Sequence, residues 1–431
     1  MTIQEMKPPK MSRQEKRKNE QRKKKRLTVL FTAIFAAVMF AAYFFGVFSP
    51  FGIRPPVEHF WETYSPSANE PSAELVEDEQ PTQEEQPAGE EEEGTEEEDA
   101  SEKPAENVYA AATSKEVNES LADLPERVYV PNVIDGTITV IDPATFDIVD
   151  TYEVEELPYH ITPSWDMTEL LVNNEESSTF TVIDPRSGRP KDSVAVTFPY
   201  NLYYTPDGSK AIVVAERLQR IGFRDRKTWD LLGSVYIPWP GVDHLDFSKD
   251  GDYFLASSEW SGVVSKVDTN TMELVDYVEV GSLPIDIKLS PDGSVFYVAD
   301  QGSNGVHIID PEKMEEIDFI PTGLGAHGLQ VSRDAKSLYV SNRLEGTISI
   351  IDFGTREVTD TWYTGGTPDM FQLSPDGRQL WVSGRYDGAI YVLDTSSGEL
   401  LNTIYTGTQP HGLAYFPNPG RFSLGHNGVY R

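Results

Sequence analysis

RVYVPNVIDGTITVIDPATFDIVDTYEV, residues 127–154, holds three alternating apolar runs separated by turn residues. Successive side chains of an extended strand point to opposite faces, so GTITVID and IVDTYEV read as short strands with one packed face. The aspartate of VIDPAT, Asp142, recurs in VIDPRS (Asp184), FRDRKT (Asp225), KVDTNT (Asp268), IIDPEK (Asp310), IIDFGT (Asp352) and VLDTSS (Asp394). The intervals are 42, 41, 43, 42, 42 and 42 residues. An aspartate at the head of a tight turn accepts from the backbone amides that follow it, so this repeated residue is read as structural.

Upstream of each such turn lies a second one, TPDGS, SKDGD, SPDGS or SPDGR, followed by a β-rich run such as KAIVVA, VFYVA or QLWVS. Four short strands per unit and seven units predict an all-β fold: a seven-bladed β-propeller of four-stranded blades over residues 127–417. The first unit lacks its opening strand. HGLAYF, 411–416, is an opening strand with no unit after it, so it is expected to complete the amino-terminal blade and remove the unpaired edges of an open ring. Residues 418–431 are left over. They read as a strap, or as part of an eighth blade, and removal of residues 421–431 is expected to be milder than removal of the closing strand.

The second strands carry YVPN (129–132), LVNN (171–174) and YVSN (339–342). These resemble the repeats of the YVTN family of surface and periplasmic propeller proteins, over residues 127–417. The resemblance implies the fold. For function it implies a binding protein or an enzyme relative, the nearest being propeller lactonases with metal ligands or His and Arg at the channel mouth.

Ahead of the repeats, residues 1–26 hold eleven Lys or Arg against three Glu and abut an uncharged apolar stretch, 27–48. Twenty-two such residues suffice to span a bilayer, and the basic cluster keeps the amino terminus cytoplasmic. A single-pass plasma-membrane protein with an extracytoplasmic propeller is the expectation. Residues 49–126 read as a disordered linker, because 70–106 hold seventeen acids and one Lys and cannot bury enough apolar surface to offset chain entropy. A short helix is expected near 114–124. There is no cysteine, which excludes disulfides and thiolate metal sites. The net charge of −34 repels phosphate backbones, so no nucleic acid partner is expected.

Four of the seven histidines fall where the first strands begin. Aligned there, the units read PYH (His160), PYN (Asn201), VDH (Asp243, His244), PID (Asp286), AHG (His327), PDM (Asp369) and PHG (His411). The first strand of a propeller blade is innermost, so these residues should ring one mouth of the channel. Just inside, Thr162, Tyr203, Asp246, Lys288, Gln330 and Gln372 suit a wet channel. A second set from the loops after the second strands comprises Asn132, Asn174, Glu216 with Arg217, Asp300, Asn342 with Arg343, and Arg385. His and Asp suit a divalent metal ion as cofactor, whereas turn chemistry alone also accounts for Pro-x-His-Gly. No nucleophile elbow, phosphate loop or haem attachment motif is present. The expected function is a ligand- or protein-binding scaffold of the cell envelope, held to the bilayer through 27–48 and taking an envelope protein, glycan or small molecule. The alternative is a lactonase-like or metal-dependent hydrolase at the same mouth.

Overall fold

The computed structural model describes residues 107–426 and 428–431. The expected cytoplasmic tail, the 27–48 span and most of the linker lie outside the described residues. Among those described, no helix is long and apolar enough to cross a membrane.

Seven antiparallel sheets form in chain order. Blades 2 to 7 begin with the inner strands Pro158–Pro163, Asn201–Tyr204, Val242–Phe247, Pro284–Leu289, Ala326–Val331 and Pro368–Leu373. Each is followed outward by three further strands. Blade 1 has Arg127–Asn132, Thr137–Ile141 and Ile148–Glu153, and takes its inner strand, Ala414–Phe416, from the other end of the chain. There Arg127 pairs with Phe416, Val128 with Tyr415 and Tyr129 with Ala414. The ring closes as the repeat count requires, with seven blades.

The repeated residues do the local work expected of their chemistry. All seven register aspartates accept the amide two residues on, as Asp142 does from Ala144 at 2.9 Å and Asp268 from Asn270 at 2.8 Å. The asparagine of the YVPN-like strands clips the next hairpin. Asn132 donates to Thr137 and Thr139 at 3.0 and 2.9 Å, and Asn342 donates to Thr347 and Ser349 at the same distances. Alternate strand residues pack between blades: Tyr203, Val214 and Leu245 share one such layer with Phe254, and Tyr297, Leu329 and Val340 share another.

Two segments outside the repeats depart from expectation. Residues 107–124 are packed, with a helical turn at Ala110–Thr113 and a 3-10 turn at Glu119–Leu121. Tyr109 is buried and donates its hydroxyl to the Leu289 carbonyl at 2.9 Å, and Leu121 is buried against Tyr129 and Met167. This segment crosses the face that carries the first-to-second-strand loops, from blade 5 to blades 1 and 2. Acidic composition upstream hid its two apolar anchors.

The tail is the second departure. Ser423–Gly425 and Val429–Tyr430 form a hairpin that extends the blade 3 sheet from the inside, Gly425 lying opposite Tyr203. It enters the channel from the face covered by residues 107–124 and is no eighth blade. Arg431 anchors it, donating to Asp246 at 2.9 Å and to the Phe247 carbonyl at 3.1 Å, all buried.

Deleting residues 407–431 removes the inner strand of blade 1 and exposes its backbone edge. Calorimetry should then show no cooperative transition, and light scattering should show aggregation. Deleting 421–431 alone strips the buried Asp246 of its guanidinium, at about 3–5 kcal/mol. That shorter deletion should leave a cooperative transition, milder than loss of the closing strand, but lower the melting temperature clearly; a parent-like melt would show that the hairpin is not held in the channel.

Candidate functional site

The inner strands, with the turn that carries His411 and the loops that carry Arg343 and Arg385, bring all ten sequence-selected residues to one mouth of the channel, opposite the face where the hairpin enters. Nine of them are buried and Arg385 is half-buried. They form two adjoining groups.

The first is built on Asp369 of blade 7. Arg343 reaches it through Nε at 3.1 Å and through Nη2, which also meets His327 Nε2. His327 Nδ1 lies 3.1 Å from one carboxylate oxygen, His411 Nδ1 2.5 Å from the other, and Arg385 Nη1 3.9 Å away. Burial works against charge on Asp369, but Arg343, His411 and His327 outweigh it and hold the carboxyl well below its usual range. Burial, with Arg385 and Arg343 close by, keeps His411 neutral with its pKa lowered to about 3. His327 is likewise far below its ordinary value, by burial and by Arg343.

The second group spans blades 2 to 5. The rings of His160 and His244 are centred 5.6 Å apart, and that of His160 is 4.6 Å from His411. The tail hairpin adds His426, whose ring is 4.7 Å from His244 and 5.2 Å from His160 and stacks on Tyr203 at 5.4 Å. One ligating atom from each of His160, His244 and His426 lies within 4.8 Å of the others. Asn201 meets His426 Nδ1 at 3.1 Å, and Asp286 Oδ1 lies 3.5 Å from its Nε2. Asp243 Oδ2 sits 3.3 Å from His244 Nδ1. Burial raises the Asp243 carboxyl, and that carboxylate, against burial, holds His244 above its ordinary value.

Several expectations are refined. Asp286 and Asp246 each accept the amide of the next blade's inner strand, from Leu329 at 2.9 Å and Leu289 at 2.8 Å, so these carboxylates also tie blades together. Lys288 pairs with Asp286 at 2.8 Å. At the depth of Tyr203, Asp246 and Lys288 the channel holds the hairpin instead of standing open. In the second set, Asn132, Asn174 and Asn342 are hairpin clips, and Asp300 accepts from the Ser282, Leu283 and Ser303 amides. Those four are architectural.

The residue that follows each of these positions is the one that faces the mouth. In blade order these are Val133, Glu175, Glu216, Glu259, Gln301, Arg343 and Arg385. Arg343 donates to Gln301 at 3.2 Å, Arg217 pairs with Glu175 at 3.0 Å, and the Arg385 guanidinium lies 5.5 Å over Tyr159. Three carboxylates thus occupy one side and two guanidiniums the other. Glu216, Arg343 and Arg385 belong to the set that the sequence pattern singles out, whereas Glu175 and Glu259 do not. Burial, then the neighbouring Asp243, Glu175 and Glu259, pushes Glu216 well above its usual range. Burial and Asp243 raise Glu259 from 4.5 to about 7.

A carboxyl raised in this way keeps its proton in the native state while the unfolded chain has lost it. Its stabilising contribution is therefore present at acid pH and is lost as pH rises from 4.5 to about 7. Glu259→Gln, which cannot ionise, should make the protein more stable than the parent at pH 8, by up to about 3 kcal/mol. That advantage should vanish near pH 4.5. Denaturant melts at the two pH values check this, and an equal difference at both would mean that the carboxylate carries no electrostatic cost.

Residues 104–419 match the YNCE-like beta-propeller family. No curated protein matches the chain. Among solved structures, Kuenenia stuttgartiensis hydrazine synthase is similar with a TM-score of 0.54 at 20% identity, over 65% of this chain and 98% of that one. Dihydro-heme d1 dehydrogenase NirN in complex with DHE is similar with a TM-score of 0.54 at 17% identity, over 68% and 75%. A functionally unknown protein from Desulfotomaculum acetoxidans DSM 771 reaches a TM-score of 0.60 at 18% identity, over 68% and 99%. At these identities the likeness shows the fold alone. With the family match spanning seven closed blades, the chain belongs to the YNCE-like beta-propeller family.

Proposed function

We propose that this protein is a binding module that presents the histidine-bearing mouth of its propeller to a polar partner, outside a membrane to which residues 27–48 tether it. The observation that carries the reading is the divided rim. Glu175, Glu216 and Glu259 stand on blades 2 to 4 and Arg343 and Arg385 on blades 6 and 7, at the mouth the hairpin leaves free. Like-charged neighbours on one side raise the cost of ionising Glu216 and Glu259, and a cationic group seated between them would relieve it. An anionic group would complement the opposite side. A ligand with separated charges, such as a loop or terminus of an envelope protein, fits this arrangement.

The loops around the rim also expose large apolar side chains: Ile134, Trp260, Leu344 and Tyr386 are 54, 62, 65 and 60% accessible. An apolar crown around a polar centre is the composition of a protein-binding face. The acidic balance of the chain speaks against nucleic acid as the partner. The YVTN-like repeats agree with an extracytoplasmic setting. A lactonase-like or metal-dependent hydrolase is the second reading, and the observation in its favour is the trio His160, His244 and His426 beneath the rim.

A photo-crosslinking side chain placed at Trp260 or Tyr386 in the full-length membrane protein should capture a discrete species in cells. The same probe at the exposed Asp207, on the opposite face, should not. Capture should fall at least tenfold when Glu216→Gln, Glu259→Gln and Arg385→Gln are combined with the Trp260 probe. Equal labelling from both faces, or capture indifferent to the charge changes, would overturn the reading.

A further inference from the structure

Three of the buried imidazoles at the mouth come from parts of the chain with no sequence proximity: His160 from blade 2, His244 from blade 4 and His426 from the tail hairpin. We propose that His160, His244 and His426 form a centre for one borderline divalent cation of the zinc or cobalt type, and that this ion pins the carboxy-terminal hairpin inside the propeller. The centre lies beneath the rim and stands whether or not the rim binds a partner.

The geometry is the first support. Three nitrogens bound tetrahedrally to zinc at about 2.0–2.1 Å lie roughly 3.4 Å from one another. Ligating atoms already within 4.8 Å reach that spacing by small rotations of the rings. Imidazole nitrogen is a donor that such ions take up readily.

The second support is the shell behind the rings. A ligating histidine ordinarily turns its other nitrogen toward a carboxylate or amide that orients the ring. Asp243 Oδ2 lies 3.3 Å from His244 Nδ1, while His244 Nε2 is buried without a hydrogen-bond partner. His426 is flanked by Asn201 at 3.1 Å and Asp286 at 3.5 Å. Asp243 and Asp286 are both buried behind the rings, Asp286 being shared with Lys288 at 2.8 Å.

The third support is what lies around the trio. His411 is centred 4.6 Å from His160, and its Nε2 has no hydrogen-bond partner. Four imidazoles this close exceed what blade turns require, since His307, buried elsewhere in blade 5, stands alone between Asp300 at 3.5 Å and Glu316 at 3.2 Å. Three protein nitrogens leave a tetrahedral ion one further position for a ligand.

The test uses full-length protein in detergent, stripped with a chelator and dialysed against zinc or cobalt(II). The parent should retain one equivalent per chain, and its cobalt form should show the visible ligand-field bands of a tetrahedral site. His426→Ala and His244→Ala should each lose the equivalent, and Asp243→Asn should bind about 10–100-fold more weakly. Should His244→Ala fail to fold, His426→Ala decides, because it lies outside the ring of blades. Zinc should also slow digestion beyond Phe416 by a serine carboxypeptidase in the parent and not in His426→Ala. A parent that retains no ion, or a His426→Ala variant that retains it equally well, would overturn the assignment. Because crosslinking from Trp260 is read separately, its loss would not bear on the metal result.

Discussion

Everything in this molecule depends on three residue pairs at the seam of the ring. Arg127, Val128 and Tyr129 meet Phe416, Tyr415 and Ala414, and the backbone edge they cover would otherwise be a row of open donors and acceptors. Gly412 continues the seam on its other side, accepting from Ile161 at 2.9 Å and donating to Tyr159 at 3.0 Å. His411 therefore enters the mouth as part of the closure itself. The direction of the closing strand also decides where the tail goes. It runs from the histidine mouth to the opposite face, so the fifteen residues after Phe416 emerge beneath the channel, and the hairpin turns back up into it.

The fold was legible because the repeat is regular. An aspartate every 41 to 43 residues fixes the register, and once the register is known the missing first strand and its substitute at 411–416 follow by counting. The ring of His160, Asn201, Asp243, His244, Asp286, His327, Asp369 and His411 followed from the same alignment. What escaped lies where periodicity gives no purchase. His426 belongs to a segment with no counterpart in any blade, and nothing local says that it turns into the channel. Glu175 follows the Asn174 clip and Glu259 follows Ser258, and charged residues in such loops read as ordinary solvated turns. Tyr109 and Leu121 are two anchors in a stretch whose neighbours are acidic, and composition averages them away.

Electrostatically the mouth is divided in a way that the overall charge conceals. On the side of blades 6 and 7, one carboxylate, Asp369, is shared by Arg343, Arg385, His327 and His411, and burial, with the arginines second, keeps the histidines neutral. On the side of blades 2 to 4, Glu175, Glu216, Glu259 and Asp243 outnumber the cations, of which Arg217 is the nearest named partner. Such an excess is destabilising in the isolated protein.

The seam also bears on how the chain acquires its structure. Tyr415 and Glu126, which hydrogen-bond beside it, are 289 residues apart. Blades 2 to 7 are each made of consecutive strands and can form as they are synthesised, but blade 1 must wait until the last strand arrives. During that interval its three strands present an unpaired edge at Arg127–Asn132, next to an equally bare flank on blade 7. Ring closure is thus a late, long-range event of high contact order, and the interval before it is when a newly made chain is most exposed to misassembly with its neighbours.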